Sequence, residues 1–514
     1  MKWPAIANAK RIVARELGTT IKDWGGRIPI ALVYPNTYHV GMSSLAMQTL
    51  YHMLNAEADI VCERAFFGHR RREEESIPLS LETQRQLTDF AVLATTFSFE
   101  LDYINYVLML RGAGIPVRSA DREEGDPLLL AGGAAVSANP EPLAELCDAF
   151  FVGEVEEILP NLLEALHVGI PDSRRRLLEA LSAVPGVYVP ALMPVEGGTP
   201  RHIDRQWVRD VNRYPTHTHV YTRETEFGDM HLLEIARGCG RGCRFCLAGC
   251  LYRPPRERDA PLLLEQARLG QRYRSKVGLI SAAVSDYTQI EELVTGLVEM
   301  GLHISVSSMR VDPLPEVLLR ALVSSGTRTL TVAPEAGSDR LRAAIHKNIT
   351  RDHILRAAER AAAHRFHELK LYFMVGLPGE DETDIEAILQ LVREIRQAFA
   401  GRIQTSVAPF VPKAHTPFQR EAMTSPDSLR RRLRRLQSGL RELDVRMASE
   451  SIPWARVQAV LARGDRRLGP VLASLHSPSL ADWDTALLHQ GLHSEDYTGA
   501  RGPDEPLPWS FIRL

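Results

Sequence analysis

Three of the chain's six cysteines, Cys239, Cys243 and Cys246, fall in the stretch Cys-Gly-Arg-Gly-Cys-Arg-Phe-Cys. Three thiolates on a short loop, with Gly238, Gly240 and Gly242 letting the backbone fold back, reach three irons of a cubane iron–sulfur cluster. The fourth iron then has no protein ligand and is open to a substrate or cofactor. Zinc is the competing reading, with Cys250 as fourth ligand, but the three-residue gap after Cys239 departs from the paired C-x2-C spacing of zinc ribbons. Disulfides fit less well, because cysteine is sparse and the segment from Met1 to Leu17 mixes basic with apolar residues instead of forming the apolar core of a signal peptide. Cys62 and Cys147 lie in apolar stretches and read as buried thiols.

A chain of 514 residues exceeds one ordinary core, so two or three domains are expected. Hydrophobic content of 45% with 24% charged residues is that of a soluble globular protein. A formal charge of -3 provides no general drive toward nucleic acid or an anionic membrane. No run of eighteen apolar residues occurs, so no membrane span is expected, and a cytoplasmic location suits reduced thiols.

The fold class expected is α/β: an N-terminal doubly wound domain, then a (β/α)6 partial barrel, then a small, mostly helical C-terminal region. Boundaries are set at 1–215, 216–420 and 421–514. In the first part, strands are predicted at Ile28–Val33, Phe90–Thr95, Leu128–Leu130 and Ala149–Val152, alternating with helical patterns. A parallel sheet of that kind binds ligands beyond the carboxyl ends of its strands, where Gly132-Gly133 and Gly153-Glu154 stand. The stretch from Ile203 to Asp229 reads as a polar connector. Barrel strands are predicted at Leu232–Ile235, Val277–Ile280, Ile304–Val306, Thr329–Val332, Lys370–Met374 and Gln404–Val407. After the helix-start signal Thr424-Ser425-Pro426-Asp427, leucines at 429, 433, 436, 440 and 443 form one stripe, and Arg430, Arg431, Arg432, Arg434 and Arg435 cover much of the rest. With no overall basic charge, those arginines read as a solvated face of a helix packed on the barrel rather than as an RNA surface.

The cysteine motif and the strand-end segments behind it resemble the radical S-adenosylmethionine (SAM) superfamily. The resemblance implies a [4Fe-4S] cluster on Cys239, Cys243 and Cys246 that binds SAM at its open iron, reduces it and releases a 5'-deoxyadenosyl radical. It further implies SAM contacts from Phe245 at the adenine, Ser281 and Ala282 at the methionyl amine, Ser307 and Arg310 after the third strand, Glu335 at the ribose or amine, and Gly376 near the adenine. A guanidinium at position 310 suits the SAM carboxylate, which it can grip as a fork. The N-terminal part resembles the cobalamin-binding domain of one branch, with Gly132, Gly133, Gly153 and Glu154 as cobalamin-site candidates. The DxHxxG motif that supplies a cobalt ligand elsewhere is absent, and His39 reads as a loop histidine. Segments such as Leu251–Arg258 and Asp504–Trp509 resemble one bacterial subgroup that brings no substrate with it and whose members continue past the Leu-Pro-Trp element.

The function expected is a radical SAM enzyme using cobalamin for methyl transfer to carbon, or for ring formation or rearrangement. Its electron donor would be a reductase, a flavodoxin or a ferredoxin. The alternatives are a cobalamin-free radical SAM enzyme or a methylthiotransferase-like modifier of RNA or protein. The latter kind carries a further cysteine triad ahead of the barrel, whereas only Cys62 and Cys147 precede the motif here. An iron–sulfur sensor or scaffold fits least, having no need of a SAM pocket.

Overall fold

A computed structural model describes residues 3–68, 78–170, 172–193 and 202–514. The N-terminal sheet has six strands: β1 (Ile28–Tyr34), β2 (Ile60–Phe66), β3 (Val92–Thr96), β4 (Leu128–Gly132), β5 (Ala149–Phe151) and β6 (Val187–Tyr188). They lie in the order β2-β1-β3-β4-β5-β6, parallel except for β6. Four of them match the expected strands to within two residues. The two not expected are β6, only two residues long, and β2, whose Glu63 and Arg64 break the apolar run. Both are buried, Arg64 between Glu16 and Glu82 and Glu63 against Trp24 and Thr83.

Alternation along the strands splits the domain into two cores. Ile30, Leu32, Val92 and Leu130 face the helices α1 (Leu45–Ala56) and α3 (Leu159–Gly169). Ala31, Val33, Leu93 and Leu129 face α2 (Asp102–Ala113) on the other side. That second core also takes Val457, Val460 and Leu461 from α6 (Ile452–Arg463), Leu468 and Leu472 from α7 (Leu468–Ser474), and Trp483 from α8 (Leu480–His489). The stretch from 421 on, expected as a region of its own, therefore divides. Its later helices complete the N-terminal domain.

The barrel strands β7 (Met230–Glu234), β8 (Lys276–Ile280) and β9 (His303–Val306) form one parallel set. A second contains β10 (Thr329–Glu335), β11 (Glu368–Val375), β12 (Arg402–Pro409) and β13 (Arg446–Ser449). A bridge between Met309 and Val332 joins the two. The six expected strands are all present, and β13 adds a seventh. In β11, Leu369, Leu371, Phe373 and Val375 are buried under the outer helices, so the alternate residues Lys370, Tyr372 and Met374 turn to the barrel interior.

The arginine-rich helix α5 (Pro426–Glu442) buries Leu429, Leu433, Leu436 and Leu440 against α4 (Glu382–Ala398) and the barrel core. Arg431 and Arg432 pair with Glu382, Arg432 also with Glu380, and Arg435 with Glu386. Among the described residues, no helix is long and apolar enough to cross a membrane.

Candidate functional site

The cysteine loop leaves β7 through Ala236–Arg237, which pairs antiparallel with Arg256–Glu257 where the chain returns. Two other parts of the barrel and one part of the N-terminal domain hold the loop in place. Arg241 grips both carboxylate oxygens of Asp286, which follows β8, at 2.6 and 2.8 Å. The N–H of Arg244 donates to the Ile345 carbonyl at 3.0 Å, and Nδ1 of His346 meets the Gly242 carbonyl at 3.0 Å. Arg237 pairs with Glu154, Glu156 and Glu234, tying the loop's root to the N-terminal domain.

Burial pushes the Cys243 and Cys246 thiols up, and each is raised further by a neighbouring cysteine. Lys347 acts in the opposite sense on both, Arg310 does so on Cys243, and the N–H groups of Gly249 and Ala248 donate to Cys246. No group of three or more His, Cys, Asp or Glu among the described residues stands close enough to hold a single metal ion. Cys62 and Cys147 are buried on opposite faces of the N-terminal sheet.

Around the loop lie the residues proposed for SAM. Phe245 packs with Leu377, Phe410 and Phe418. Ser307 is exposed beyond β9, and Arg310, 10% exposed, stands 3.7 Å from Asp286 and donates to the Asp312 carbonyl. Glu335 ends β10 with a left-handed φ of 68° and pairs with Lys347 at 2.9 Å. Gly376 donates its N–H to Glu380 and accepts from Thr424, so it faces the start of α5.

A single cavity of about 380 Å³ joins the two halves of the molecule. Its inner part is an apolar slot between β1, β3 and β4 and the helices α1 and α3, lined by Leu32, Leu50, Met53, Leu130 and Leu163. Its outer part reaches Gly238 on the cysteine loop and Ser281 and Ala282 at the end of β8. Gly132, Gly133, Gly153 and Glu154 all line it. They line it for different reasons. A Cβ on Gly132 would meet only Phe151, at 3.9 Å, so this position is open to the cavity. Gly133 has φ 101° and Gly153 φ 112°, and a Cβ there would strike the backbones of Phe97 and Gln206 at 2.6 and 2.0 Å. Packing alone thus requires glycine at these two positions. Glu154 is taken up by Arg237, Arg256 and the Val208 N–H, and although burial opposes it, these partners hold its carboxyl below the usual range. His39 lies outside the cavity, 55% exposed beside Glu226.

Residues 46–190 match the model of the N-terminal region of radical SAM proteins, and residues 233–392 match that of the radical SAM superfamily. The uncharacterized protein MJ0966 of Methanocaldococcus jannaschii is 32% identical over 456 residues, covering 88% of this chain and 92% of the relative. The chain belongs to the radical SAM superfamily. Its cofactors are accordingly a [4Fe-4S] cluster and SAM. A tRNA-2-methylthio-N(6)-dimethylallyladenosine synthase of Cereibacter sphaeroides is 27% identical over 292 residues, 55% of this radical SAM enzyme and 63% of the synthase. The fold resembles the cobalamin-dependent SAM radical enzyme OxsB solved with aqua-cobalamin and SAM, with a TM-score of 0.55 and 13% identity over 90% of this chain and 71% of that one.

Sequence reasoning missed Lys347, Asp286, Glu156 and Arg205. Each acts through a partner distant in sequence, and none stands in a motif. The only local signal was the polar His-Lys-Asn turn after the helix Asp339–Ala344.

Proposed function

We propose that the protein is a cobalamin-dependent radical SAM enzyme that transfers a methyl group to carbon, or closes or rearranges a ring, with the corrin lying between the N-terminal sheet and the barrel mouth. The observation that carries this reading is the continuity of one cavity from the open Gly132 at the end of β4 to Ser281 and Ala282 at the end of β8. The likeness to OxsB, whose solved structure holds aqua-cobalamin and SAM, supports it.

When bound, the cluster with SAM supplies hydrogen abstraction and the corrinoid supplies a methyl group. Cys239, Cys243 and Cys246 hold the cluster. Arg310, kept in place by Asp286, offers its guanidinium to the SAM carboxylate, and Glu335, steadied by Lys347, accepts from the ribose or amine. The apolar slot takes the buried part of the corrinoid and keeps water from it, while Gly132 lets a flat ring approach the backbone. The inward-facing Lys370 and Tyr372 of β11 make the barrel interior polar, which suits a substrate with hydrogen-bonding groups. A flavodoxin, ferredoxin or reductase would deliver the electron. The methylthiotransferase reading, though it has relatives of that name, is not favoured: the two cysteines ahead of the barrel are buried on opposite faces of a sheet.

The test is anaerobic isolation from cells with ample cobalamin uptake, followed by iron, sulfide and corrinoid analysis. A corrinoid should accompany the cluster. Gly132→Leu should lose it and keep its iron, and His39→Ala should leave the cobalt spectrum unchanged. Wild-type protein free of corrinoid would leave a cobalamin-free hydrogen-abstracting enzyme.

A further inference from the structure

The wall of the interdomain cavity holds one cation with no anion to match it. Arg205 is 9% exposed and lines the cavity. Its backbone is clamped from both sides: its own N–H donates to the Arg513 carbonyl, and the adjoining Gln206 exchanges hydrogen bonds with Val152 and Glu154 beyond β5. Of its guanidinium, Nη2 donates to the Arg253 carbonyl at 2.5 Å, while Nε and Nη1 have no partner.

The neighbouring charges are already matched among themselves. Arg237 pairs with Glu154, Glu156 and Glu234, Arg256 with Glu154, and Arg258 with Glu234. No carboxylate among the described residues lies within ion-pair distance of Arg205. Burial presses its pKa below the ordinary arginine value, and Arg256 adds to that effect against Glu154. A buried charge without a counter-ion is costly, and a guanidinium is suited to phosphate or carboxylate oxygens.

We propose that Arg205 is an anion-binding residue of the interdomain cavity, pairing with the phosphodiester or the carboxylate of a cofactor held there. This rests on the cofactor reading above. The shared chemistry has two sources, the phosphodiester of a corrinoid's nucleotide tail and the methionyl carboxylate of SAM, on which Arg205 would act as a second guanidinium beside Arg310.

Reconstituted wild-type, Arg205→Met and Arg205→Lys proteins are titrated with cobalamin, with cobinamide, which has no phosphodiester, and with SAM. The ligand-free unfolding midpoint is recorded for each. Removing an unmatched buried charge should leave the ligand-free midpoint of Arg205→Met unchanged or raised. Affinity for the anionic ligand should fall on the order of ten- to a hundredfold, with Arg205→Lys between the two. Loss of cobalamin affinity with cobinamide bound as before assigns the phosphodiester; loss of SAM affinity with both corrinoids unaffected assigns the carboxylate. Wild-type affinity of Arg205→Met for both cobalamin and SAM overturns the proposal. So does equal loss of all three ligands with a lowered midpoint, which makes Arg205 a packing residue. A wild type that takes up no corrinoid defeats the cofactor reading instead, and the SAM titration alone then decides Arg205.

Discussion

At the scale of single residues, the cluster loop rests on a strained turn. Glu335, His346 and Asn348 all adopt left-handed φ, at 68°, 57° and 52°, a conformation that costs a non-glycine residue about 1 kcal/mol or more. Lys347 lies between the last two and reaches Glu335, while Ile345 and His346 bond the loop. Glu335→Gln should therefore weaken SAM binding by about 1–3 kcal/mol while the iron content stays constant. Anaerobic equilibrium dialysis reads this, and an unchanged dissociation constant would remove Glu335 from the SAM site. The division of labour among the cysteines is equally open to measurement. Cys239→Ala, Cys243→Ala and Cys246→Ala should each lose the cluster, whereas Cys250→Ala should retain most of its iron and sulfide. Cluster loss in Cys250→Ala would show that the three-cysteine assignment is incomplete.

Elements were legible where a local pattern decides them and illegible where distant partners do. The apolar strands β1, β3, β4 and β5, the six barrel strands and the leucine stripe of α5 all announce themselves by spacing and composition. Strand β2 does not, because its Arg64 is paired with Glu16 and Glu82 and its Glu63 accepts hydrogen bonds from Trp24 and Thr83, all elsewhere in the chain. The SAM-side segments follow the family motif, but nothing local reveals that Gly133 and Gly153 serve the packing of Phe97 and Gln206, or that only Gly132 is open. Nor does the sequence tell that α6, α7 and α8 belong to the N-terminal core, since a helix's apolar face does not name its partner. This last point carries a prediction. Trp483, 1% exposed on α8, packs in the core shared with Leu93 and Phe97. Trp483→Ala should lower stability by about 3–5 kcal/mol, read from denaturant unfolding, and should destabilise the N-terminal sheet in hydrogen exchange. Loss confined to the C-terminal helices would mean that they fold as a unit of their own.

On the scale of the whole molecule, the seam between the N-terminal domain and the barrel contains a column of histidines. His52 on α1 stacks on His219 at 3.9 Å, His219 meets His217 at 4.4 Å, and His217 meets His231 on β7 at 5.4 Å. The rings crowd one another, which favours their neutral forms, and Tyr221 bonds His231 Nδ1 at 2.8 Å; the Thr218 carbonyl, which accepts from His217, works in the opposite sense without outweighing burial. Burial lowers all four, His219 to about 2 and His231 to about 3, with the other histidines adding to the effect on His217, His219 and His231. A depressed histidine is neutral in the folded protein and free to protonate in the unfolded chain. Stability from these rings is thus fully present above the unfolded value near 6.5 and declines as pH falls toward the folded values. By pH 5, His219 and His231 should each have removed on the order of 2 kcal/mol. Burial raises Asp102 to about 6 and Glu380 to about 7, so these carboxyls titrate in the same window with the opposite sign, and the histidine share is read from the difference between wild type and a histidine variant. Urea unfolding across that window should show stability falling with pH, and His219→Phe, which keeps a flat ring in the stack, should flatten that slope. An equal slope in the variant would show that the histidine column plays no part in the acid response of the seam.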